Sequence, residues 1–111
     1  MERIAFQIGD FFFSWDERKS QINLRNHGVA FQEAATCWLD ERAVEVYDEV
    51  HSDIETRWLV IGRSDLGRLL TCWYTERQFG EQEVVRLIGA RLSISTEKSL
   101  YDETKKQRQK S

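Results

Sequence analysis

The chain has 111 residues, a length suited to one domain with a single core, and its 41% hydrophobic and 32% charged residues exclude a disordered chain. A net charge of -3 argues against a general nucleic-acid coat, which carries a basic excess, and leaves room only for a local basic site. No apolar run approaches the roughly 18 residues of a bilayer span, the N-terminus lacks the basic-then-apolar order of a signal peptide, and Cys37 and Cys72 sit in apolar stretches as buried thiols, so the expected location is cytoplasmic.

Taken in order, Ile4, Phe6 and Ile8 alternate with polar residues, and Phe11 to Trp15 follows Gly9-Asp10, which predicts a strand interrupted by a turn and joined to a sheet. Asp16 is placed to cap a helix that ends at Gly28, with Glu17 in its first turn. One face of that helix carries Lys19, Asn23 and Asn26 with His27 adjoining, which reads either as a solvated face or as a hydrogen-bonding surface for a partner. Phe31, Ala34, Ala35, Trp38 and Leu39 recur at helical spacing and predict a core-facing amphipathic helix. Residues 43–47 alternate as a strand, and residues 48–56 form an acidic loop in which His51 with Asp48 or Asp53 lacks any recognised metal-ligand spacing.

Residues 57–92 organise the rest. Three runs rich in β-branched, aromatic and aliphatic residues, 57–63, 68–77 and 83–92, are separated by Ser64-Asp65-Leu66-Gly67 and by Gly80, the pattern of an antiparallel meander. Strict alternation puts Leu59, Ile61 and Arg63 on one face, and Val85, Leu87, Gly89 and Arg91 on one face. Arginines therefore stand at strand ends, where a guanidinium holds phosphate well. Ser95 or Thr96 can cap a last helix carrying Glu97 and Tyr101 on one side, and the Lys- and Gln-rich tail at 105–111 is expected to fray. The fold class is α+β: an antiparallel sheet with the meander as its core, two helices in the N-terminal half and one at the C-terminus, in a single domain over residues 1–111.

No nucleophile elbow, phosphate loop or nucleotide fingerprint is present. If the last helix packs back across the meander, Arg91, Glu97 and Tyr101 approach one another, with Arg63 or Arg77 from neighbouring strand ends. Such a set suits RNA cleavage through the 2′-hydroxyl, which needs cations on the phosphorane, an acceptor near the 2′ proton and a donor near the 5′ oxygen. The bland alternative for Arg91 and Glu97 is a structural salt bridge.

The residues resemble the BrnT family of toxin ribonucleases, which have a RelE-like fold. The matching stretches are Trp15-Asp-Glu-Arg-Lys19 with Asn23, His27-Gly-Val-Ala-Phe31 with Glu33-Ala-Ala35, Asp48-Glu-Val-His-Ser52 with Glu55, and Arg57-Trp-Leu-Val-Ile-Gly62. They continue through Gly67-Arg-Leu-Leu70, Tyr74-Thr-Glu-Arg77 and Ile88-Gly-Ala-Arg91 to Glu97 and Tyr101, spanning about residues 13–103. The resemblance implies a metal-independent endoribonuclease of a type II toxin–antitoxin system, without cofactor. Its implied partner is a BrnA-like ribbon-helix-helix antitoxin, in a heterotetramer that reaches operator DNA through the antitoxin. Arg91, Glu97, Arg63, Arg77 and Tyr101 are the implied catalytic positions, and Lys19, His27 and Arg68 the implied RNA-binding ones. The alternative is a weakly active or inactive relative that keeps only the antitoxin interface. With four Trp and six Phe in so small a chain, an exposed aromatic patch for that partner is expected.

Overall fold

In the computed structural model, residues 6–50 and 55–110 are described, with side chains through residue 104. Ile4, His51 and Asp53 lie outside the described residues. The elements are β1 (Phe6–Ile8), β2 (Phe11–Ser14), α1 (Glu17–His27), α2 (Phe31–Ala35), a 3₁₀ turn (Thr36–Leu39), β3 (Val44–Tyr47), β4 (Trp58–Arg63), β5 (Leu69–Phe79), β6 (Gln82–Leu92) and α3 (Ser95–Lys110). One six-stranded sheet runs in the order β1-β2-β6-β5-β4-β3. Its pairs are antiparallel except β2 with β6, which pairs Phe13 with Val85 and Ser14 with Arg86 in parallel. No described helix is long and apolar enough to cross a membrane.

Local chemistry explains most boundaries. Asp16 Oδ1 accepts the N–H groups of Arg18 (2.9 Å) and Lys19 (3.3 Å) at the head of α1, and Gly28 ends the helix in the left-handed region at φ 68°. α3 is capped differently from the expectation. Ile94, whose side chain cannot cap, precedes its first residue, and Glu97 reaches back to the Ile94 N–H at 2.9 Å, which is half of a capping box.

The main core lies on one face of the sheet, where α1, α2 and the 3₁₀ turn cover Val60, Leu70, Cys72, Tyr74, Leu87 and Ala90 with Phe13, Trp15, Val29, Phe31, Ala34, Ala35 and Cys37. Gly62 is needed there, because a Cβ on it would meet the Cys37 Cβ and carbonyl oxygen at 3.2 Å. The expected helix from Phe31 to Leu39 tightens into the 3₁₀ turn after Ala35, which changes the angular spacing and leaves Leu39 exposed. The Trp residues are buried or half-buried, and among the aromatic residues only Phe11 and Tyr47 are exposed, so most aromatic side chains are at least partly covered within the chain itself.

Two corrections bear on the site. Asn23 is not on a solvated face: it is buried, and its amide donates to the carbonyls of Val29 and Ala90 at 2.9 Å and accepts the Ala90 N–H at 3.1 Å, so it pairs with the edge of β6. In β6 the register passes from Tyr74 opposite Leu87 to Trp73 opposite Gly89, leaving Ile88 as an extra residue, a bulge. The four residues that strict alternation would put together are therefore split. Val85 and Leu87 face the helices, while Gly89 and Arg91 face the other side with Thr71 and Trp73.

Candidate active site

α3 packs on that second face. From β6 it turns back so that Glu97 lies over β5 and Tyr101, one helical turn or about 6 Å further along, reaches Asp40 beyond β4. Two arginine centres result, one at each end of that turn.

At the first, Arg91 and Glu97 form a fork. Arg91 Nη1 donates to Glu97 Oε1 at 2.8 Å and Nη2 to Oε2 at 2.9 Å, while Nη1 also donates to the Leu92 carbonyl at 3.0 Å. Glu97 Oε1 further accepts the Thr71 hydroxyl at 2.8 Å. The Arg91 guanidinium lies 4.8 Å from the Trp73 ring centre, a cation–π contact that fixes its plane. Burial would raise the Glu97 carboxyl, but the bonds from Arg91, the Ile94 N–H and Thr71 outweigh it and hold it below the usual carboxylate range. Glu97 is thus ionised with both oxygens engaged, which suits it to orient a cation and ill suits it to accept a proton. Arg91 is 28% exposed and Glu97 13%, so the guanidinium is the member that reaches solvent.

At the second centre Asp40 gathers three donors: the Arg63 N–H at 2.8 Å, the Tyr101 hydroxyl at 2.7 Å and the Arg42 N–H at 3.0 Å. The Arg63 guanidinium lies 5.9 Å from the Tyr101 ring centre and donates to the Gly67 carbonyl at 3.0 Å. Burial would raise the Asp40 carboxyl, and these bonds bring it below its ordinary value instead. Burial and the Asp40 charge raise the Tyr101 phenol, which keeps it a donor. A cleft of about 390 Å³ opens here, lined by Leu39, Asp40, Glu41, Arg42, Arg63, Tyr101 and Asp102.

The remaining predicted positions lie apart. Arg77 is near the other end of β5, ion-paired with Glu55 at 2.8 Å. Arg68 is a structural clamp: Nε donates to Glu33 Oε2 at 2.9 Å, Nη2 to Glu33 Oε1 and to the Gly28 carbonyl, and Ser64 Oγ adds a 2.7 Å bond to the same carboxylate. Lys19 and His27 are exposed on α1, in the helical layer on the opposite side of the sheet from α3. Asp40, Thr71 and Trp73 were missed by sequence reasoning. Thr71 alone carried a signal, as a hydroxyl in the middle of an apolar strand. Among the described residues no three His, Cys, Asp or Glu side chains converge to hold a metal ion.

A family model described as "Ribonuclease toxin, BrnT, of type II toxin-antitoxin system" matches residues 15–97, a stretch that includes Arg63, Arg91 and Glu97 and stops short of Tyr101. The fold is similar to the crystal structure of the Brucella abortus ribonuclease toxin BrnT, with a TM-score of 0.51 and 20% identity over 73% of this chain and 94% of that one. No curated protein matches the sequence.

Proposed function

From the premise that the chain belongs to the BrnT family of type II ribonuclease toxins, we propose that it cleaves RNA without a metal, by attack of a 2′-hydroxyl on the adjacent phosphorus, to leave a 2′,3′-cyclic phosphate and a 5′-hydroxyl. The observation that carries the reading is the fork of Glu97 on Arg91. It presents a guanidinium of fixed plane, partly open to solvent, on the same sheet face as Arg63. Charge builds on the non-bridging oxygens as the phosphorane forms, and preorganised cations there stabilise the transition state more than the ground state. Arg91 takes that role, with Arg63 supporting it. Tyr101, kept protonated beside the Arg63 guanidinium, is the donor to the departing 5′ oxygen, turning its hydroxyl from Asp40 to do so and regaining a proton from solvent. Both carboxylates are hydrogen-bonded and ionised, so Glu97 and Asp40 position the cations, and the 2′ proton passes to solvent.

The partner we propose is a BrnA-like ribbon-helix-helix antitoxin, forming a heterotetramer with the toxin. The test of function is direct. Purified protein should cut single-stranded RNA in the presence of EDTA and yield cyclic-phosphate ends, and Arg91→Ala should abolish cutting while still binding the antitoxin. Activity lost to chelator and restored by magnesium would overturn the mechanism.

A further inference from the structure

The face of β5 that carries Thr71 and Trp73 continues through Thr75 to Arg77, six residues or about 20 Å beyond Thr71 at ~3.3 Å per residue. There a cleft of about 290 Å³ is lined by Glu55, Thr56, Trp58, Thr75, Glu76 and Arg77. Thr75 is 1% exposed, yet its hydroxyl has no hydrogen-bond partner among the described residues. Buried polar groups are nearly always satisfied, and one that is not calls for an explanation. Ser14 Oγ, also buried and without a partner among the described residues, stands in the same cross-strand row, since Ser14 pairs with Arg86 and Arg86 with Thr75. At the mouth, the Arg77 guanidinium is met by the Glu55 carboxylate at 2.8 Å, both about a third exposed. A surface ion pair of this kind is weak and exchangeable.

We infer that this cleft is a second anion subsite, which takes a backbone phosphate of the single-stranded RNA whose scissile bond lies at Arg91; this rests on the ribonuclease reading. Arg77 offers the planar fork that phosphate oxygens fit, Thr75 donates the hydroxyl that no described residue accepts, and Glu55 occupies the anion position until the phosphate displaces it. An extended RNA strand that follows β5 then touches the protein at both ends of the strand, so length of substrate counts toward affinity, not only the reacting dinucleotide.

The test uses uncleavable, fully 2′-O-methylated RNA, as a dinucleotide and as an octanucleotide, with binding read by fluorescence anisotropy across a salt series. Glu55→Gln should tighten octanucleotide binding about two- to fivefold, the span of an exposed ion pair. Arg77→Gln should weaken it about tenfold and lower the salt slope by about 0.7, one phosphate contact. Thr75→Val should weaken it about fivefold while raising Tm, because it removes a buried hydroxyl that the free protein leaves unpaired. A residue of purely structural role would not move those two readouts in opposite directions. Dinucleotide binding should be unchanged in all three. Wild-type affinity and slope for the octanucleotide in these variants would overturn the subsite, as would inorganic phosphate competing equally with both lengths, which would mark a small-anion site. If ordinary RNA is bound but not cut, while octanucleotide binding still depends on Arg77 and Glu55, the ribonuclease reading fails and the subsite stands. If the wild type binds no octanucleotide, both fall.

Discussion

Exchanging Glu97 for Gln keeps the side chain's size and removes its charge. Oε1 collects three donors, from Arg91, Thr71 and Ile94, so an oxygen must remain there, and the new amide nitrogen faces Arg91 Nη2, where two donors meet. Breaking a buried ion pair costs about 3–5 kcal/mol and an exposed one under about 1 kcal/mol. With the partners 28% and 13% exposed the expected loss is intermediate, about 1–2 kcal/mol, or roughly 5–10 °C in Tm for a domain of this size. Because the folded-state Glu97 carboxyl lies below its ordinary value of 4.5, its stabilisation is fully present above that pH and is lost as pH falls through the folded value. The Tm difference between Glu97→Gln and wild type should therefore shrink in acid. Arg91→Ala leaves the mostly buried Glu97 carboxylate without its cation and removes the contact with Trp73, so it should cost at least as much in Tm, and it should in addition lower single-turnover cleavage per folded molecule about 100- to 1000-fold. Thermal melts and cleavage rates normalised to the folded fraction separate the two effects. If Arg91→Ala destabilises the fold but the rate per folded molecule survives, the fork is only a strut and the catalytic assignment is refuted.

Asn23→Leu removes three bonds and leaves the Ala90 and Val29 carbonyls unpaired in the interior, so chemical denaturation should show a loss of about 2–3 kcal/mol. Gly62→Ala brings a methyl to 3.2 Å from Cys37 backbone and side chain, and a drop of about 1–3 kcal/mol should accompany the overpacking, read by the same assay. Tyr101→Phe deletes the 2.7 Å bond to Asp40 and should cost about 1 kcal/mol. A melt of Tyr101→Phe equal to wild type would mean that the Asp40 centre is not held by α3. Co-expression with the proposed antitoxin should yield one co-eluting complex; separate elution at mild salt would remove that partner.

The meander, the caps at Asp16 and Gly28 and the approach of Glu97 to Arg91 were legible in the sequence because each follows from local rules: alternation, turn residues and helical spacing. What was not legible depends on tertiary packing. Leu39 reads as core until the chain tightens at Thr36, and Arg68 reads as an RNA-binding cation until Glu33 arrives from α2. Asp40 is one acid among many in sequence, and only the fold puts the Arg63 N–H and the Tyr101 hydroxyl on it. The parallel pairing of β2 with β6 is invisible to periodicity, since a strand does not announce its neighbour.

The extra residue at Ile88 makes Arg91 a proofreader of strand alignment. If β6 slid by one position past the bulge, the guanidinium would be driven among Cys72, Tyr74 and the helices, away from Glu97, and an unpaired charge in that interior is prohibitive. Asn23 checks the same half of the strand from its other side by clasping the Ala90 peptide. The residue assigned to the chemistry therefore also rejects wrong pairings as the sheet assembles. Either apolar replacement, Arg91→Met or Arg91→Ala, would lift that veto, whereas Arg91→Lys would keep a charge at this position and with it the penalty on a shifted register.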